Sequence, residues 1–360
     1  MKKVMVHAVT KLNLGDDLFL KILFERYPNT NFIISAHNMY KKYYAIYDNT
    51  SVHSSSNIVS RGINFFMRKF GQHVFIQKSI AKKCDISIHI GGSIFQQKVN
   101  WKSQLKNRKS LLIENQPFYI LGANFGSYTE SKFYEGYFNL FKKYADICFR
   151  DDYSYNLFSK LSNVRKAADI VFSLNYDAPL TDDKKVVISV IKPSFRPYLM
   201  NRDHEYYEKI KEISINYIKD GFDVVLMSFC KAEGDEEAIK EIANMIPERY
   251  EESIKVHKYY GDINSALKEI SSASAVIATR FHAMILGWLY EKPTFPIAYN
   301  DKMFNVMEDV GYEGKYIGFD NLDRLTFEDY RIRNDMYITN ISKQVKNSEE
   351  HFNVLDKFIK

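Results

Sequence analysis

Two apolar patterns alternate along the chain: short continuous apolar runs, and longer stretches whose apolar residues recur with helical spacing. The short runs predict buried strands at residues 4–9, 31–35, 85–90, 118–122, 146–150, 186–191, 223–228, 254–256, 275–278 and 294–298. The helical spacing predicts helices at residues 17–27, 133–144, 203–219, 235–246, 262–271 and 341–358. Strands that alternate with helices indicate parallel sheets, so the predicted fold class is α/β.

The length of the chain sets the number of domains. With 360 residues, 46% of them hydrophobic, the chain can bury two cores of ordinary size. The polar stretch from Pro179 to Lys185 is the best candidate for a linker. We therefore expect domains at 1–180 and 181–340, followed by a C-terminal helix at 341–360.

The stretch from Ala275 to Ala298 places charged side chains at the end of a strand. The apolar run 275–278 leads into Thr-Arg-Phe-His, a helical pattern follows, and Pro293 ends that helix. Arg280 and His282 therefore lie where a parallel strand meets a helix, which is where open α/β sheets bind ligands. A guanidinium and an imidazole at a helix N-terminus suit an anionic ligand and a proton transfer. The alternative is that Arg280 pairs with a carboxylate and His282 only begins a helix.

Positive charge is concentrated in the first half of the chain. Residues 49–113 contain eleven Lys or Arg and one acidic residue, Asp85, so this segment carries +10 against +6 for the whole chain. Such a segment suits a nucleic acid, a membrane surface or a phosphorylated substrate, or it is simply a solvated face. The sequence contains no nucleic-acid-binding motif. Within this segment, the basic and aromatic residues 51–83 favour a core-facing helix over an interfacial membrane helix. Residues 101–110 read as a surface loop and a candidate contact for a substrate.

Neither a metal site nor a dinucleotide site is indicated. The three cysteines, Cys84, Cys148 and Cys230, are far apart, as in a protein of the reducing cytoplasm. The sequence has no His-Glu-x-x-His motif and no clustered carboxylates. The loop that contains Gly15 is not Gly-x-Gly-x-x-Gly. The first residues predict a strand rather than a targeting segment, and no stretch approaches the roughly 18 apolar residues of a membrane span.

Several of these motifs together resemble the polysaccharide pyruvyl transferase family. The C-terminal signature of the family is similar to Arg280-Phe281-His282, Gly287, Pro293 and Tyr299-x-x-Lys302. The Asn-x-Gly-Asp loop at 13–16, the Gly-Gly step at 91–92 and the strand end at 150–151 also match. The resemblance covers most of residues 4–311.

The resemblance implies a fold, a reaction and a cellular setting. The family fold is glycosyltransferase-B-like, with two Rossmann-like parallel-sheet domains facing a cleft and a C-terminal helix packing back across them. The implied reaction moves the enolpyruvyl group of phosphoenolpyruvate, a co-substrate rather than a cofactor, onto two sugar hydroxyls as a cyclic ketal and releases phosphate. The acceptor would be a bacterial capsule or exopolysaccharide, or its lipid-linked precursor. The setting would be the cytoplasm, with peripheral contact at the inner face of the membrane left open.

The resemblance also implies residue roles. Arg280 would bind donor anion charge and His282 would be the acid/base, with Phe281, Tyr299 and Lys302 on the same cleft wall. Many relatives place an arginine just after the first strand of the second domain, and here Lys192 or Arg196 would take its place. The opposing wall, on the acceptor side in the first domain, would comprise Asn13, Gly15, Asp16, Gly91, Gly92 and Asn124.

Two other functions fit the same architecture. One is a glycosyltransferase that uses a nucleotide sugar. Retaining enzymes of that group place two Glu seven residues apart, and Glu291 followed by Tyr299 does not supply that pair. The other is a non-catalytic binding protein of a polysaccharide assembly system.

Overall fold

The computed structural model describes residues 1–54, 62, 74–175, 184–337 and 340–360. These residues form two compact units. The first unit comprises Met1–Thr10, Phe19–Ser173 and Val345–Lys360, and the second comprises Lys11–Leu18 and Leu174–Gln344.

A seven-stranded parallel sheet forms the centre of the first unit. Its strands are β1 (Lys3–His7), β2 (Asn31–Ala36), β3 (Thr50–Ser54), β4 (Ile86–Ile90), β5 (Phe118–Ala123), β6 (Asp146–Phe149) and β7 (Val164–Lys166), in the order β3-β2-β1-β4-β5-β6-β7. The helices that belong to this part of the chain are α1 (Leu14–Arg26), α2 (Tyr40–Tyr44), α3 (Phe75–Ala81), α4 (Trp101–Leu111), α5 (Ser131–Phe141) and α6 (Asp152–Phe158). The core beneath α4 and α5 is largely aromatic, and Phe95, Phe125 and Phe141 are fully buried in it.

A six-stranded parallel sheet forms the centre of the second unit. Its strands are β8 (Lys185–Ser189), β9 (Asp223–Met227), β10 (Ile254–His257), β11 (Ala275–Ala278), β12 (Thr294–Ala298) and β13 (Ile317–Gly318), in the order β10-β9-β8-β11-β12-β13. The helices are α7 (Asp203–Lys219), α8 (Asp235–Met245), α9 (Ile263–Ser271), α10 (Phe281–Leu289), α11 (Asp301–Val310) and α12 (Phe327–Tyr330). Every residue of β11 and β12 is buried, as expected for central strands covered on both faces.

Each sheet contains a point at which the strand order reverses. The chain moves outward from β1 to β3 and then returns to β4 beside β1. In the second unit it moves from β8 to β10 and returns to β11 beside β8. Ligands of doubly wound sheets bind at such switch points, beyond the carboxyl ends of the strands. In the second unit this position is where β11 leads into Arg280.

The predicted α/β class with two parallel sheets is confirmed, and some local predictions were wrong. The structure forms helix α4 where a surface loop was expected. Its residues Trp101, Leu105 and Leu111 are buried and its three lysines are exposed, so the helix is amphipathic although its composition is strongly basic. Helix α1 begins at Leu14, three residues earlier than predicted.

The C-terminal segment divides into two helices, α13 (Ser342–Ser348) and α14 (Asn353–Ile359), separated by a 3-10 turn. From Val345 onward it belongs to the first unit. Asp356 accepts hydrogen bonds from Arg26 Nη2 at 2.9 Å and from the Tyr27 hydroxyl at 2.6 Å. His351 Nε2 lies 2.7 Å from the Ala168 carbonyl oxygen.

Two of the predicted features lie largely outside the described residues. The basic, aromatic stretch 51–83 includes 55–61 and 63–73, and the linker Pro179–Lys185 includes 179–183, none of which the structure describes. Among the helices of the described ranges, none combines the length and apolarity needed to cross a bilayer.

Candidate functional site

The turn between β11 and α10 is fixed by a buried hydroxyl from the neighbouring strand. Ser189, the last residue of β8, accepts hydrogen bonds at its Oγ from the backbone N–H groups of Thr279 (2.9 Å) and Arg280 (3.0 Å). The Tyr206 hydroxyl donates to Thr279 Oγ1 at 3.0 Å. These bonds satisfy backbone donors where the strand ends, and they fix the direction in which the side chain of Arg280 leaves the sheet.

Arg280 is buried and bound by two carboxylates that follow β9. Its residue surface is only 6% exposed, its Nη1 donates to Glu233 Oε2 at 2.5 Å, and its Nη2 donates to Asp235 Oδ1. Asp235 is fully buried, and its Oδ2 accepts from the backbone N–H groups of Phe229 and Cys230. Burial disfavours the guanidinium charge, but Asp235 and Glu233 hold the pKa of Arg280 well above its ordinary value. The pairing of Arg280 with carboxylates that the sequence left open is therefore present.

Arg196 approaches Arg280 through a shared carboxylate, whereas Lys192 does not. Arg196 Nη2 donates to Glu233 Oε2 at 2.9 Å and to the Tyr299 hydroxyl at 3.3 Å. Burial works against the charge on Glu233, but Arg280 and Arg196 lower its pKa to about 2. Lys192 Nζ instead donates to Glu237 Oε2 at 2.6 Å.

Tyr299 and Lys302 follow β12 beside the two arginines. The guanidinium carbon of Arg196 lies 4.7 Å from the centroid of the Tyr299 ring, and Lys302 Nζ lies 5.4 Å from that of Phe281. Burial opposes ionisation of the Tyr299 hydroxyl, but Arg196, Lys302 and Arg280 together hold its pKa below the ordinary value. Three cationic side chains therefore gather at this edge of the second sheet, with the carboxylates of Glu233 and Asp235 among them.

The imidazole of His282 packs directly against Gly15. A Cβ atom built on Gly15 would lie 1.8 Å from His282 Nδ1 and 2.4 Å from its Cε1, so any larger residue at this position would displace the imidazole. The glycine is held in place because its N–H donates to Asn13 Oδ1 at 3.0 Å and Leu14 N donates to the Phe229 carbonyl at 3.0 Å.

The placement of Asn13, Gly15 and Asp16 differs from the prediction. They were expected with Gly91 and Gly92 in the first domain, but Lys11–Leu18 belongs to the second unit. The reason is an antiparallel bridge between Asn13 and Cys230, which attaches this loop to the segment after β9.

The remaining predicted residues lie together in the first unit. Arg150 is buried, donates from Nη1 to Asp169 Oδ2 at 2.8 Å, and donates from Nη2 to Asn124 Oδ1 at 2.8 Å. A Cβ on Gly92 would lie 2.6 Å from Arg150 Nη1, so the glycine allows the guanidinium to lie against the backbone. Gly91 has a φ of +149°, which favours glycine. These residues follow the ends of β4, β5 and β6 and form one hydrogen-bonded group.

Sequence reasoning missed Glu233, Asp235 and Ser189. The first two belong to a Glu-Gly-Asp sequence that follows a buried strand and leads into a helix. Arg280 was singled out because it also lies where a strand leads into a helix, so the same sequence pattern could have identified Glu233 and Asp235. Among the residues that the structure describes, no group of three or more His, Cys, Asp or Glu is arranged to hold a metal ion.

Comparison with protein families identifies the class of protein. The family described as polysaccharide pyruvyl transferase matches residues 13–301, about four-fifths of the chain. The chain therefore belongs to the polysaccharide pyruvyl transferase family. None of the curated proteins compared with it matches significantly.

Solved structures of low sequence identity share the fold. UDP-GlcNAc 2-epimerase from Neisseria meningitidis, bound to UDP-GlcNAc, aligns with a TM-score of 0.61 and 10% identity over 99% of this chain and 100% of that one. S. aureus MnaA with UDP aligns with a TM-score of 0.59 and 10% identity over 99% and 96%. Anabaena HepE in complex with UDP aligns with a TM-score of 0.54 and 12% identity over 99% and 97%. The fold is thus glycosyltransferase-B-like.

Proposed function

We propose that this protein transfers the enolpyruvyl group of phosphoenolpyruvate to a sugar of a cell-surface polysaccharide or its lipid-linked precursor. The observation that carries the proposal is the cationic edge of the second unit, where Arg280, Arg196 and Lys302 lie within the family-matched region or directly beside it. Phosphoenolpyruvate carries a carboxylate and a phosphate, and guanidinium groups bind both in bidentate fashion. The second unit would therefore hold the donor.

The reaction requires one proton to reach carbon and a second to leave with phosphate. The CH2 carbon of the enol takes up a proton, and one sugar hydroxyl adds to the neighbouring carbon. A second hydroxyl then displaces phosphate from that carbon and closes the ketal ring. The two hydroxyl protons balance the methyl group that forms and the phosphate that leaves. His282, fixed against Gly15, is the proposed acid/base because an imidazole exchanges protons near neutral pH.

The first unit would bind the acceptor. The proposed acceptor contact is at the strand ends of Gly91, Gly92 and Asn124, where both glycines are buried and Asn124 is partly exposed. The basic residues of segment 49–113 suit the phosphate of a lipid-linked acceptor at a membrane surface. Arg150 and Asp169 would maintain this wall rather than contact the sugar, because both are buried.

Phosphate release is the direct assay. Purified protein incubated with phosphoenolpyruvate and candidate glycans should release phosphate, and mass spectrometry should show a pyruvate ketal on the glycan. Arg280→Ala and His282→Ala should each abolish release, whereas His204→Ala, at an exposed histidine of the same unit, should not. Full activity in both Arg280→Ala and His282→Ala would show that these roles are wrong.

The competing function is a nucleotide-sugar-dependent glycosyltransferase. The structures named as UDP or UDP-GlcNAc complexes make it relevant, although their identities of 10–12% speak only for the fold. A ligand that binds the native state raises the unfolding temperature. Stabilisation by phosphoenolpyruvate but not by UDP supports pyruvyl transfer, and the reverse supports the glycosyltransferase.

A further inference from the structure

Within the second unit, a carboxylate of the chain itself already lies between the two arginines of the proposed donor site. Glu233 Oε2 accepts a hydrogen bond from Arg280 at 2.5 Å and from Arg196 at 2.9 Å. A ligand carboxylate that binds the same two guanidinium groups needs the same position. Glu233 and such a ligand therefore compete.

Glu233 and Asp235 both bind Arg280, but they differ in solvent exposure and in their other hydrogen-bond partners. Asp235 has no exposed side-chain surface and accepts two backbone N–H groups, so it is a permanent partner. The side chain of Glu233 is 26% exposed, and its Oε1 makes no hydrogen bond to any residue that the structure describes. Its charged neighbours Arg280, Arg196 and Lys302 hold it, and rotation of its side chain is enough to release it.

The backbone around Glu233 can stay in place during this exchange. Glu233 ends a three-residue 3-10 turn, and Gly234 follows with a φ of +82°. Asp235 then anchors the start of α8 to the backbone after β9. The backbone on both sides of Glu233 is therefore held by hydrogen bonds, and only the Glu233 side chain needs to move.

We propose that Glu233 is an internal substitute for the ligand's carboxylate, displaced when a carboxylate-bearing ligand binds Arg280 and Arg196. With Glu233 in place, the buried guanidinium groups are neutralised in the absence of ligand, which avoids the cost of unpaired buried charge. A ligand that carries no anionic group cannot replace both charge-assisted hydrogen bonds, so the exchange favours anionic ligands. The identity of that ligand as phosphoenolpyruvate rests on the proposed function.

The test is the affinity of Glu233→Gln for anions. The amide has nearly the same shape but no charge, so it competes less well for the two arginines. Isothermal titration with phosphoenolpyruvate should give a Kd about tenfold lower than that of the wild type, equivalent to about 1.4 kcal/mol. An unchanged or weaker affinity would overturn the proposal. If Glu233 only oriented Arg280 for the ligand, removing its charge would leave the affinity unchanged or weaken it.

A matched control lies three residues further along the chain. Glu236 accepts from the Tyr260 hydroxyl at 2.9 Å and is paired with Lys231 at 3.9 Å. Glu236→Gln removes the same charge from the same segment and should leave the Kd unchanged. Equal tightening in both variants would show a general charge effect and would also overturn the proposal.

Malonate, a simple dicarboxylate, separates this proposal from the proposed function. If no variant binds phosphoenolpyruvate but Glu233→Gln binds malonate more tightly than the wild type, the donor is wrong and the exchange stands. If Glu233→Gln binds malonate no more tightly than the wild type does, the proposed exchange is wrong. Should Glu233→Gln fail to fold, Glu233→Asp keeps the charge but is too short to reach both arginines, and it should likewise bind phosphoenolpyruvate more tightly.

Discussion

Replacing Gly15 with alanine tests the role of His282 without altering His282 itself. The new Cβ would lie 1.8 Å from Nδ1, and real Cβ contacts are essentially never closer than 3.0 Å, so the imidazole must retreat by about 1.2 Å. A displacement of about 1 Å can cost about 10²-fold in rate when a catalytic group must be aligned. We therefore expect kcat for pyruvyl transfer to fall about 100-fold.

Stability should change little in the same variant. Gly15 lies in the first turn of α1, where alanine favours the helix by up to about 1 kcal/mol and offsets part of the strain. The KM for phosphoenolpyruvate should also stay near the wild-type value, because the atoms nearest to the new Cβ belong to His282 and not to the arginines proposed to bind the donor.

The assay is steady-state phosphate release together with thermal unfolding. Gly318→Ala is the matched control, because its Cβ would meet nothing closer than the Phe304 ring at 3.8 Å. The reasoning is refuted if Gly15→Ala remains folded and keeps activity within about threefold of the wild type. It is refuted equally if the loss of activity only follows a loss of folded protein.

Three further perturbations test the Arg150 ion pair, the turn before Arg280 and the buried histidines. Gly92→Ala places a Cβ 2.6 Å from Arg150 Nη1, so the guanidinium must shift within its buried ion pair, and this overpacking should lower the free energy of unfolding by about 1–3 kcal/mol in urea titrations. Ser189→Ala leaves two buried N–H groups without an acceptor, which should cost about 2 kcal/mol and raise the KM for phosphoenolpyruvate. Burial and nearby arginines lower the pKa of His7 to about 4 and of His351 to about 3, against 6.5 when unfolded. Because the unfolded chain binds these protons first, stability should be complete above about pH 6.5. It should then fall towards pH 4 by about 1.4 kcal/mol per pH unit for each histidine, as urea titrations between pH 4.5 and 7.5 would show.

Matched variants exist for each measurement. Gly318→Ala is also the control for Gly92→Ala. Ser214→Ala removes a buried hydroxyl that donates only to the Ile210 carbonyl of its own helix, so it should be nearly neutral, and equal losses in both serine variants would contradict the reasoning. His7→Gln should flatten the pH dependence, whereas the exposed His204→Gln should not, and an unaltered slope in His7→Gln would contradict the assignment.

Much of the fold and part of the site could be predicted because their signals are local. The bounds of β11, β12 and α7 agree with the sequence prediction residue for residue, since contiguous apolar runs and helical spacing are properties of neighbouring residues. The position of Arg280 and His282 at a strand end follows from the same local pattern. The partners of Arg280 do not, because Glu233 and Asp235 lie 47 and 45 residues earlier in the chain.

By itself, the sequence determined the α/β class, the family motifs and the strand end that bears a guanidinium and an imidazole. Tertiary structure alone decided that β8 pairs with β11, which places Ser189 under the Arg280 turn. It also decided that the Gly15 loop packs against His282, 267 residues away, and that Arg196 rather than Lys192 joins Arg280. The physical reason is that periodicity fixes each element separately, whereas the order of parallel strands depends on how whole elements pack, and that order determines which loops meet.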